Sequence, residues 1–237
     1  MLRNQRRVRL AACTALALSV VAAGCGGRSE DNSGSSGGTG AASAEVKPGP
    51  GFDGSEITLG VLADQSGPAA ALGTPIVEGL QTYVKALNDK GGVAGKYKVK
   101  LEIADMKYNP TTAIQQYNQM KSKVVMFAHV LGTPIVDAMK QQLAGDGMLA
   151  QPSTQDAFWV KEPNLLPFGT PYQIQAINGL QYAVDKLDAK SKKVCSLTKD
   201  DPYGQAGKQG YDFAIEKLGL TSTSSATFKQ TDTDYTA

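Results

Sequence analysis

Residues 56–68 read EITLGVLADQSGP, and this stretch decides the fold class. Residues 56–63 are mostly apolar, whereas the DQSGP that follows has the composition of a loop. A short apolar run that breaks into a loop is typical of a buried strand in a parallel sheet. The stretch therefore predicts a strand over residues 56–63 whose carboxyl end opens into a polar loop.

The following residues alternate between helical and strand patterns. Apolar residues at helical spacing come after the first strand, and glycines at 91 and 92 form a stop signal. The order strand, helix, strand predicts a parallel sheet with helices on both faces. The predicted strands are residues 56–63, 96–105, 123–130 and 148–151, and the predicted helices are centred on residues 76–87, 109–120 and 135–143.

The same alternation restarts after a connecting segment at residues 156–169. This restart predicts a second lobe of the same α/β kind. We place the first α/β lobe at residues 56–170 and a partial second lobe at 171–237. The predicted elements of the second lobe are helices at about 172–189 and 203–218 and strands at 192–200 and 223–228.

Two similar phrases, GTPIVEG at 73–79 and GTPIVDA at 132–138, lie at the starts of predicted helices. Threonine as N-cap followed by proline as the first helical residue is typical of a helix start. We interpret the phrases as two helices that begin alike, rather than as a domain duplication.

The N-terminus has the pattern of a secretory signal. The first nine residues hold four arginines and no acid, and an apolar run over 10–23 follows, too short for a membrane-spanning helix. We predict a signal peptide over residues 1–24. Residues 22–25 read AAGC, which resembles the lipobox of bacterial lipoproteins.

The lipobox resemblance implies cleavage before Cys25 and lipidation of its thiol. The alternative is a plain signal peptide with an incidental cysteine. Residues 25–55 are rich in Gly, Ser and Pro, which predicts a flexible linker. We expect the protein on the extracellular face of the cell membrane, held there by the lipid.

Composition limits the classes of partner. Without the four arginines of the signal, 20 basic residues face 22 acidic ones, and no basic cluster remains. A nucleic-acid partner is therefore not expected. Cys195 would be the one cysteine left beside the anchor, without a disulfide partner.

Catalytic signals are few. His129 is the only histidine, so a Ser-His-Asp or Cys-His site would have to use it, and we interpret it as a hydrogen-bonded residue at a strand end. No Cys/His pair has metal-ligand spacing, and no phosphate loop or dinucleotide fingerprint is present. We expect that the protein binds no metal or cofactor and is not an enzyme. A secreted hydrolase is the alternative, and it would need His129 or a carboxylate pair.

Several phrases carry a family resemblance. They are ITLGVLADQSGPAAALG, ALNDKGGVAGKYKVKLEIAD, YNPTTAIQQ, LTKDDPYGQAGKQGYDFAIEKLG and TDTDYT, in this order. The set resembles the extracellular solute-binding proteins of branched-chain amino-acid ABC transporters, including their urea and amide relatives. The resemblance implies a two-lobed type I periplasmic-binding-protein fold of Venus-flytrap form. Such a clamp closes on a small polar solute, an amino acid or an amide-like compound, and passes it to ABC permease subunits.

The resemblance also implies a set of ligand-facing residues, which are Ser66, Leu72, Gly132, Thr133, Ser153, Thr154, Gln155 and Tyr203. Thr133 as a helix cap, Ser153 and Thr154 as turn residues and Tyr203 as a packed aromatic are the simpler alternatives. Amino-acid-binding members often carry an aromatic where Leu72 stands and a serine where Gly132 stands, so the solute itself is left open.

The end of the sequence gives a further expectation. TDTDYTA at 231–237 resembles a helix start, and relatives continue further. We therefore expect an incomplete second lobe and a clamp that does not close normally. A surface receptor that uses the same clamp to sense a ligand is the alternative to transport.

Overall fold

The structure is a computed structural model that describes residues 46–235. These residues belong to one of the two units into which the chain divides, residues 45–237. The predicted signal peptide and Cys25 lie outside the described residues. The strands are β1 (Glu56–Ala63), β2 (Lys98–Asp105), β3 (Met126–Leu131), β4 (Ala150–Ser153), β5 (Lys193–Lys199) and β6 (Thr221–Phe228). The α-helices are α1 (Ala70–Asp89), α2 (Pro110–Met120), α3 (Thr133–Gly145), α4 (Tyr172–Leu187) and α5 (Pro202–Leu218).

The first four strands form one parallel sheet in the order β2-β1-β3-β4. Val61, Leu62 and Ala63 at the end of β1 are all fully buried, because both faces of the sheet are covered. Successive side chains of a strand point to opposite faces. Val61 and Ala63 accordingly pack with Val77 of α1, whereas Leu62 belongs to the cluster that contains Phe127 and residues of α2 and α3.

The second sheet consists of β5 and β6, which also pair in parallel. Helix α5 connects them and packs against α4. Its N-cap is Asp201, whose Oδ1 accepts the Gly204 N–H at 3.0 Å, and its C-cap is Gly219 in the left-handed conformation. Cys195 in β5 is free and exposed. The predicted fold class, parallel sheets flanked by helices, is confirmed, and the lobe boundary at residue 170 stays a prediction.

Helix α1 begins earlier than the sequence predicts. It starts at Ala70, so Pro75 lies inside the helix and the preceding threonine is not its N-cap. The reason lies in the loop after β1. The carboxylate of Asp64 is fully buried and accepts the backbone N–H groups of Gly67 at 2.6 Å and Ala69 at 2.5 Å. These two bonds set the loop so that the helix begins about one turn before the GTP phrase.

The predicted linker, residues 25–55, includes residues that are folded in the structure. Gly49 and Phe52 exchange two backbone hydrogen bonds of 2.9 Å, and the Phe52 ring meets Tyr97 edge to face with centroids 5.3 Å apart. Gly51 has a φ of +75°, and a Cβ there would lie 2.2 Å from a backbone nitrogen. The assignment of residues 25–55 to a flexible linker is therefore wrong for its last part, because Gly and Pro here build a tight turn that docks on the folded body.

Two other boundaries differ from the sequence prediction. Strand β4 includes Pro152, whereas the strand predicted at residues 148–151 stops before this proline. Because β4 is an edge strand, the missing N–H leaves the sheet ladder intact. Residues 231–235, the described part of the predicted last helix start, form a turn and irregular backbone. Among residues 46–235, no helix combines the length and the hydropathy needed to cross a membrane.

Candidate functional site

A cleft of about 310 Å³ lies at the carboxyl ends of the parallel strands. Leu72 from α1, Gly132 from the end of β3 and Ser153 from the end of β4 line it together with Lys199 of β5 and Tyr203 of α5. Parallel α/β sheets bind ligands at these strand ends, and small-molecule sites have volumes of about 300 Å³ and above. The cleft is therefore the candidate binding site.

Two contacts connect the second sheet to the first beside the cleft. The Lys199 Nζ lies 4.6 Å from the centroid of the Tyr108 ring, and the Gln230 side-chain amide donates to the Pro68 carbonyl at 3.2 Å. All four residues line the cleft. A solute in the cleft would consequently touch groups from both sheets.

Five of the eight predicted site residues line the cleft, namely Leu72, Gly132, Thr133, Ser153 and Tyr203. The structure brings these five together from α1, α3, β4 and α5. That they contact a solute stays a prediction. Thr133 is the first residue of α3, and Gly132 is its N-cap, so the cap is one residue earlier than the GTP pattern predicts.

Gly132 has a steric reason to be glycine. Its φ is +102°, a conformation that favours glycine, and a Cβ would lie 2.7 Å from a ring carbon of Tyr108. The Tyr108 ring thus occupies the space into which a side chain at position 132 would project.

Ser66 is a described residue, but it does not line the cleft. Its hydroxyl donates to Asp105 Oδ2 at 2.5 Å, and the Gln65 backbone N–H donates to the other carboxylate oxygen at 3.0 Å. Burial alone would raise the pKa of Asp105, but these hydrogen bonds hold it below its usual value. In the structure Ser66 therefore holds the loop after β1 in place.

Thr154 and Gln155 also lie outside the cleft lining. Thr154 is 1% exposed, and its hydroxyl contacts that of Thr133 beneath the start of α3. The Gln155 carbonyl accepts the Tyr172 N–H at 2.7 Å, where the chain enters α4. Both residues support neighbours that line the cleft.

Among the cleft residues that sequence reasoning missed are Tyr108, Tyr172 and Lys199. The Tyr172 ring meets Tyr203 edge to face, with centroids 4.8 Å apart. The Lys199 side chain is only 10% exposed, and its Nζ lies 2.8 Å from Asp201 Oδ2. That contact is an ion pair without the alignment of a directional hydrogen bond. Tyr108 and Lys199 each stand at the carboxyl end of a predicted strand, which is the signal that could have found them.

Burial shifts the pKa of two phenols in the cleft. Burial, and then the charge of Asp201, raise the pKa of Tyr108 above its usual value. Burial and the neighbouring Tyr172 do the same for the pKa of Tyr203. At neutral pH both hydroxyl groups therefore retain a proton that they can donate.

His129 lies beside the cleft. It is 2% exposed, and its Nδ1 lies 2.5 Å from the Oγ of Ser153. Burial lowers its pKa to about 4, so the ring is neutral at pH 7. A hydrolytic triad needs a third group on the other ring nitrogen. Within residues 46–235, His129 Nε2 has no hydrogen-bond partner. Over the same residues, no group of three His, Cys, Asp or Glu side chains is placed to hold a metal ion.

Comparison with known proteins places this architecture in a family. The profile described as "Periplasmic binding protein" matches residues 56–237. The chain belongs to the periplasmic binding protein family. The description of the family as binding proteins agrees with a cleft formed at the strand ends.

Individual relatives cover the same region. The chain is 28% identical over 189 residues to the Leu/Ile/Val-binding protein homolog 3 of Brucella melitensis biotype 1, over 77% of this chain and 50% of the relative. It is 26% identical over 193 residues to the Leu/Ile/Val-binding protein BraC3 of Rhizobium johnstonii, with the same two coverages. The chain thus spans about half the length of these curated relatives.

A solved structure is also similar to this chain. The fatty acid ABC transporter substrate-binding protein from Thermomonospora curvata superposes with a TM-score of 0.75 at 33% identity, over 80% of this chain and 48% of that one. The likeness confirms the type I periplasmic-binding-protein fold for the part that the chain shares with it.

Proposed function

We propose that the protein is the substrate-binding component of an ABC importer. It captures a small polar solute, an amino acid or an amide-like compound, outside the membrane and delivers it to permease subunits. The observation that carries this proposal is the cleft that Ser153 and Thr133 of the first sheet line together with Lys199 and Tyr203 of the second.

The chemistry of the cleft supports a solute with a carboxylate or amide group. Lys199, which is paired with Asp201, supplies ammonium N–H donors, and the neutral phenols of Tyr108 and Tyr203 supply further donors. Leu72 and Leu131 provide apolar surface for an aliphatic chain. Relatives named as Leu/Ile/Val-binding and a neighbour named for fatty acids point to solutes that combine these two parts.

The proposed mechanism is reversible closure. A solute that contacts both sheets favours the closed arrangement by its difference in affinity for the two states. We expect opening to break the Lys199–Tyr108 and Gln230–Pro68 contacts, which join the two sides of the cleft. No covalent chemistry is needed for capture or release.

A thermal-shift screen tests the binding step. A solute that binds only the folded protein raises the melting temperature, by an amount that grows with its concentration above Kd. We expect a shift from at least one amino acid, amide or aliphatic carboxylate, and we expect the compound to be recovered unaltered. The variant Tyr203→Ala should reduce this shift. Tyr83→Ala, on the exposed face of α1, is the matched control. If no compound of the three classes shifts the protein, the proposal fails.

Delivery needs a cellular measurement. Cells that carry the protein should take up the radiolabelled solute from the screen faster than cells that lack it. Equal uptake together with firm binding would favour the sensing alternative over transport.

Membrane attachment through Cys25 is part of the proposal. Two or three acyl chains retain a protein durably, since each buried CH₂ contributes about 0.8 kcal/mol. The wild-type protein should partition into the detergent phase of a Triton X-114 extract, and Cys25→Ala should move it to the aqueous phase. Identical partitioning of the two proteins would rule out the anchor.

A further inference from the structure

The pairing of β3 with β4 brings the only histidine of the chain against a residue of the cleft. Leu131 and Ser153 are register partners, and His129 stands two residues before Leu131 on the same face of the sheet. The Ser153 Oγ and His129 Nδ1 lie 2.5 Å apart. Ser153 is half-buried and lines the cleft, whereas His129 is 2% exposed.

The direction of this hydrogen bond decides what Ser153 offers to the cleft. A neutral imidazole has one N–H and one bare nitrogen. If Nδ1 carries the proton, it donates to Ser153, and the serine O–H stays free to donate into the cleft. If Nε2 carries the proton, the serine O–H is used up on Nδ1, and Ser153 offers only its lone pairs.

The unpartnered Nε2 distinguishes the two cases. Nε2 of His129 is buried, and no partner reaches it from the described residues. Among buried backbone groups, an N–H without an acceptor is rarer than a carbonyl oxygen that lacks a donor, and we apply the same order to the two ring nitrogens. The arrangement with Nδ1–H and a bare Nε2 leaves only an acceptor unpartnered, so it is the favoured one.

We infer that His129 is a positioning residue that directs the Ser153 hydroxyl as a hydrogen-bond donor into the cleft, so that the solute presents an acceptor oxygen there. This inference rests on the proposed function for its ligand, but its first part concerns the protein alone. The acceptor is a carboxylate or carbonyl oxygen, and an ammonium group is disfavoured at Ser153. Lys199 lines the same cleft and suits the same end of the solute.

The proton position can be measured without a solute. Because the chain has a single histidine, a long-range ¹⁵N–¹H NMR spectrum at pH 7 reports on His129 without ambiguity. We expect a protonated Nδ1 and a bare Nε2 in the wild type, and a weaker preference in Ser153→Ala. A protonated Nε2, or a charged ring, would overturn the inference, whatever the protein binds.

Matched variants test the effect on binding. His129→Asn keeps an N–H donor near the position of Nδ1, whereas His129→Leu removes it. L-Leucine and sodium octanoate serve as carboxylate probes. For a probe that binds the wild type, we expect His129→Leu to raise Kd at least about fivefold, because one oriented hydrogen bond is lost. His129→Asn retains that hydrogen bond, so its Kd should stay within about twofold of the wild-type value.

The two proposals can fail separately. Equal weakening by the Leu and Asn variants, or no weakening by either, contradicts the positioning role even if solutes bind well. If neither probe nor any compound of the screen binds the wild type, the proposed function fails, and the NMR measurement alone decides the state of His129. Circular dichroism of both variants confirms that a loss of binding is not a loss of fold.

Discussion

The rings of Tyr172 and Tyr203 meet edge to face at an interplanar angle of 89°, and both line the candidate cleft. Tyr172 is the first residue of α4 and Tyr203 lies in the first turn of α5, so the contact joins two helix starts. Each ring thereby limits the rotation of the other, which leaves the Tyr203 hydroxyl in a defined place.

Loss of the Tyr172 ring should weaken solute binding. An aromatic pair of this geometry is worth about 0.5–1.5 kcal/mol beyond its buried area, so Tyr172→Leu should raise Kd about twofold to tenfold. Tyr172→Phe keeps the ring and should bind nearly as the wild type does. Isothermal titration with the solute identified by the screen provides the measurement. Equal Kd values for the Leu and Phe variants would show that the ring contact has no part in binding.

The Lys199–Asp201 ion pair should behave as a coupled unit. Breaking a largely buried pair leaves an uncompensated charge, so Lys199→Met should lower the free energy of unfolding by about 3 kcal/mol. The double variant Lys199→Met, Asp201→Asn removes that charge, and asparagine at 201 still caps α5. Urea unfolding should therefore find the double variant more stable than the single one. The opposite order would mean that the start of α5, rather than Lys199, stabilises the charge of Asp201.

Gly73 and Gly79 of α1 provide a matched pair of substitutions. A Cβ at Gly73 would lie 1.8 Å from the backbone carbonyl oxygen of Asp64, whereas nothing lies within 4 Å of one at Gly79. Gly73→Ala should lower the free energy of unfolding by about 1–3 kcal/mol through overpacking. Gly79→Ala should raise it by about 0.5–1 kcal/mol, because alanine is the better helix former. Urea denaturation of both variants measures this, and a change of the same sign in both would contradict the packing at Gly73.

His129 should make stability depend on pH. Its pKa is about 4 in the folded protein and about 6.5 when unfolded, so only the unfolded state binds the proton between these values. Stability therefore falls as the pH is lowered from 7 to 4, by about 3 kcal/mol from this residue.

The variant His129→Asn separates this contribution from that of the carboxylates, which titrate in the same range. Chemical denaturation at pH 7, 5 and 4 should show a smaller acid loss in the variant, and the difference from the wild type gives the histidine term. Parallel pH curves for the two proteins would mean that His129 is not held neutral.

The sequence could predict those elements that depend on local pattern. The strand at Glu56–Ala63 was placed correctly at both ends, and its second half is buried as an apolar run in a parallel sheet predicts. The helix predicted over residues 109–120 is present as α2, and Asn109 caps it with its side chain accepting the Thr112 N–H at 3.0 Å. Both predictions needed only neighbours along the chain.

The boundaries that the sequence could not predict depend on tertiary contacts. The early start of α1 comes from the buried Asp64, whose role appears only when the loop is folded. The turn at Phe52 reads as linker until its ring meets Tyr97. The composition of the segment around Phe52 favours flexibility, but its packing against Tyr97 holds it in an ordered turn.

The cleft could be predicted only in part, because some of its residues are brought together by tertiary contacts. Leu72, Ser153 and Tyr203 follow from the rule that ligands bind at strand ends and from the family resemblance. The ring contact of Tyr172 with Tyr203 and the approach of Lys199 to Tyr108 depend on how the two sheets meet, which no local pattern contains.

The proline in β4 has a consequence for behaviour at high concentration. Edge strands expose unpaired backbone groups that can recruit a strand from another molecule. On one edge of the first sheet, Pro152 withholds an N–H and β4 is only four residues long. On the other edge, β2 carries the exposed, charged Lys98 and Lys100. We therefore expect both borders of this sheet to disfavour the addition of a strand from another molecule.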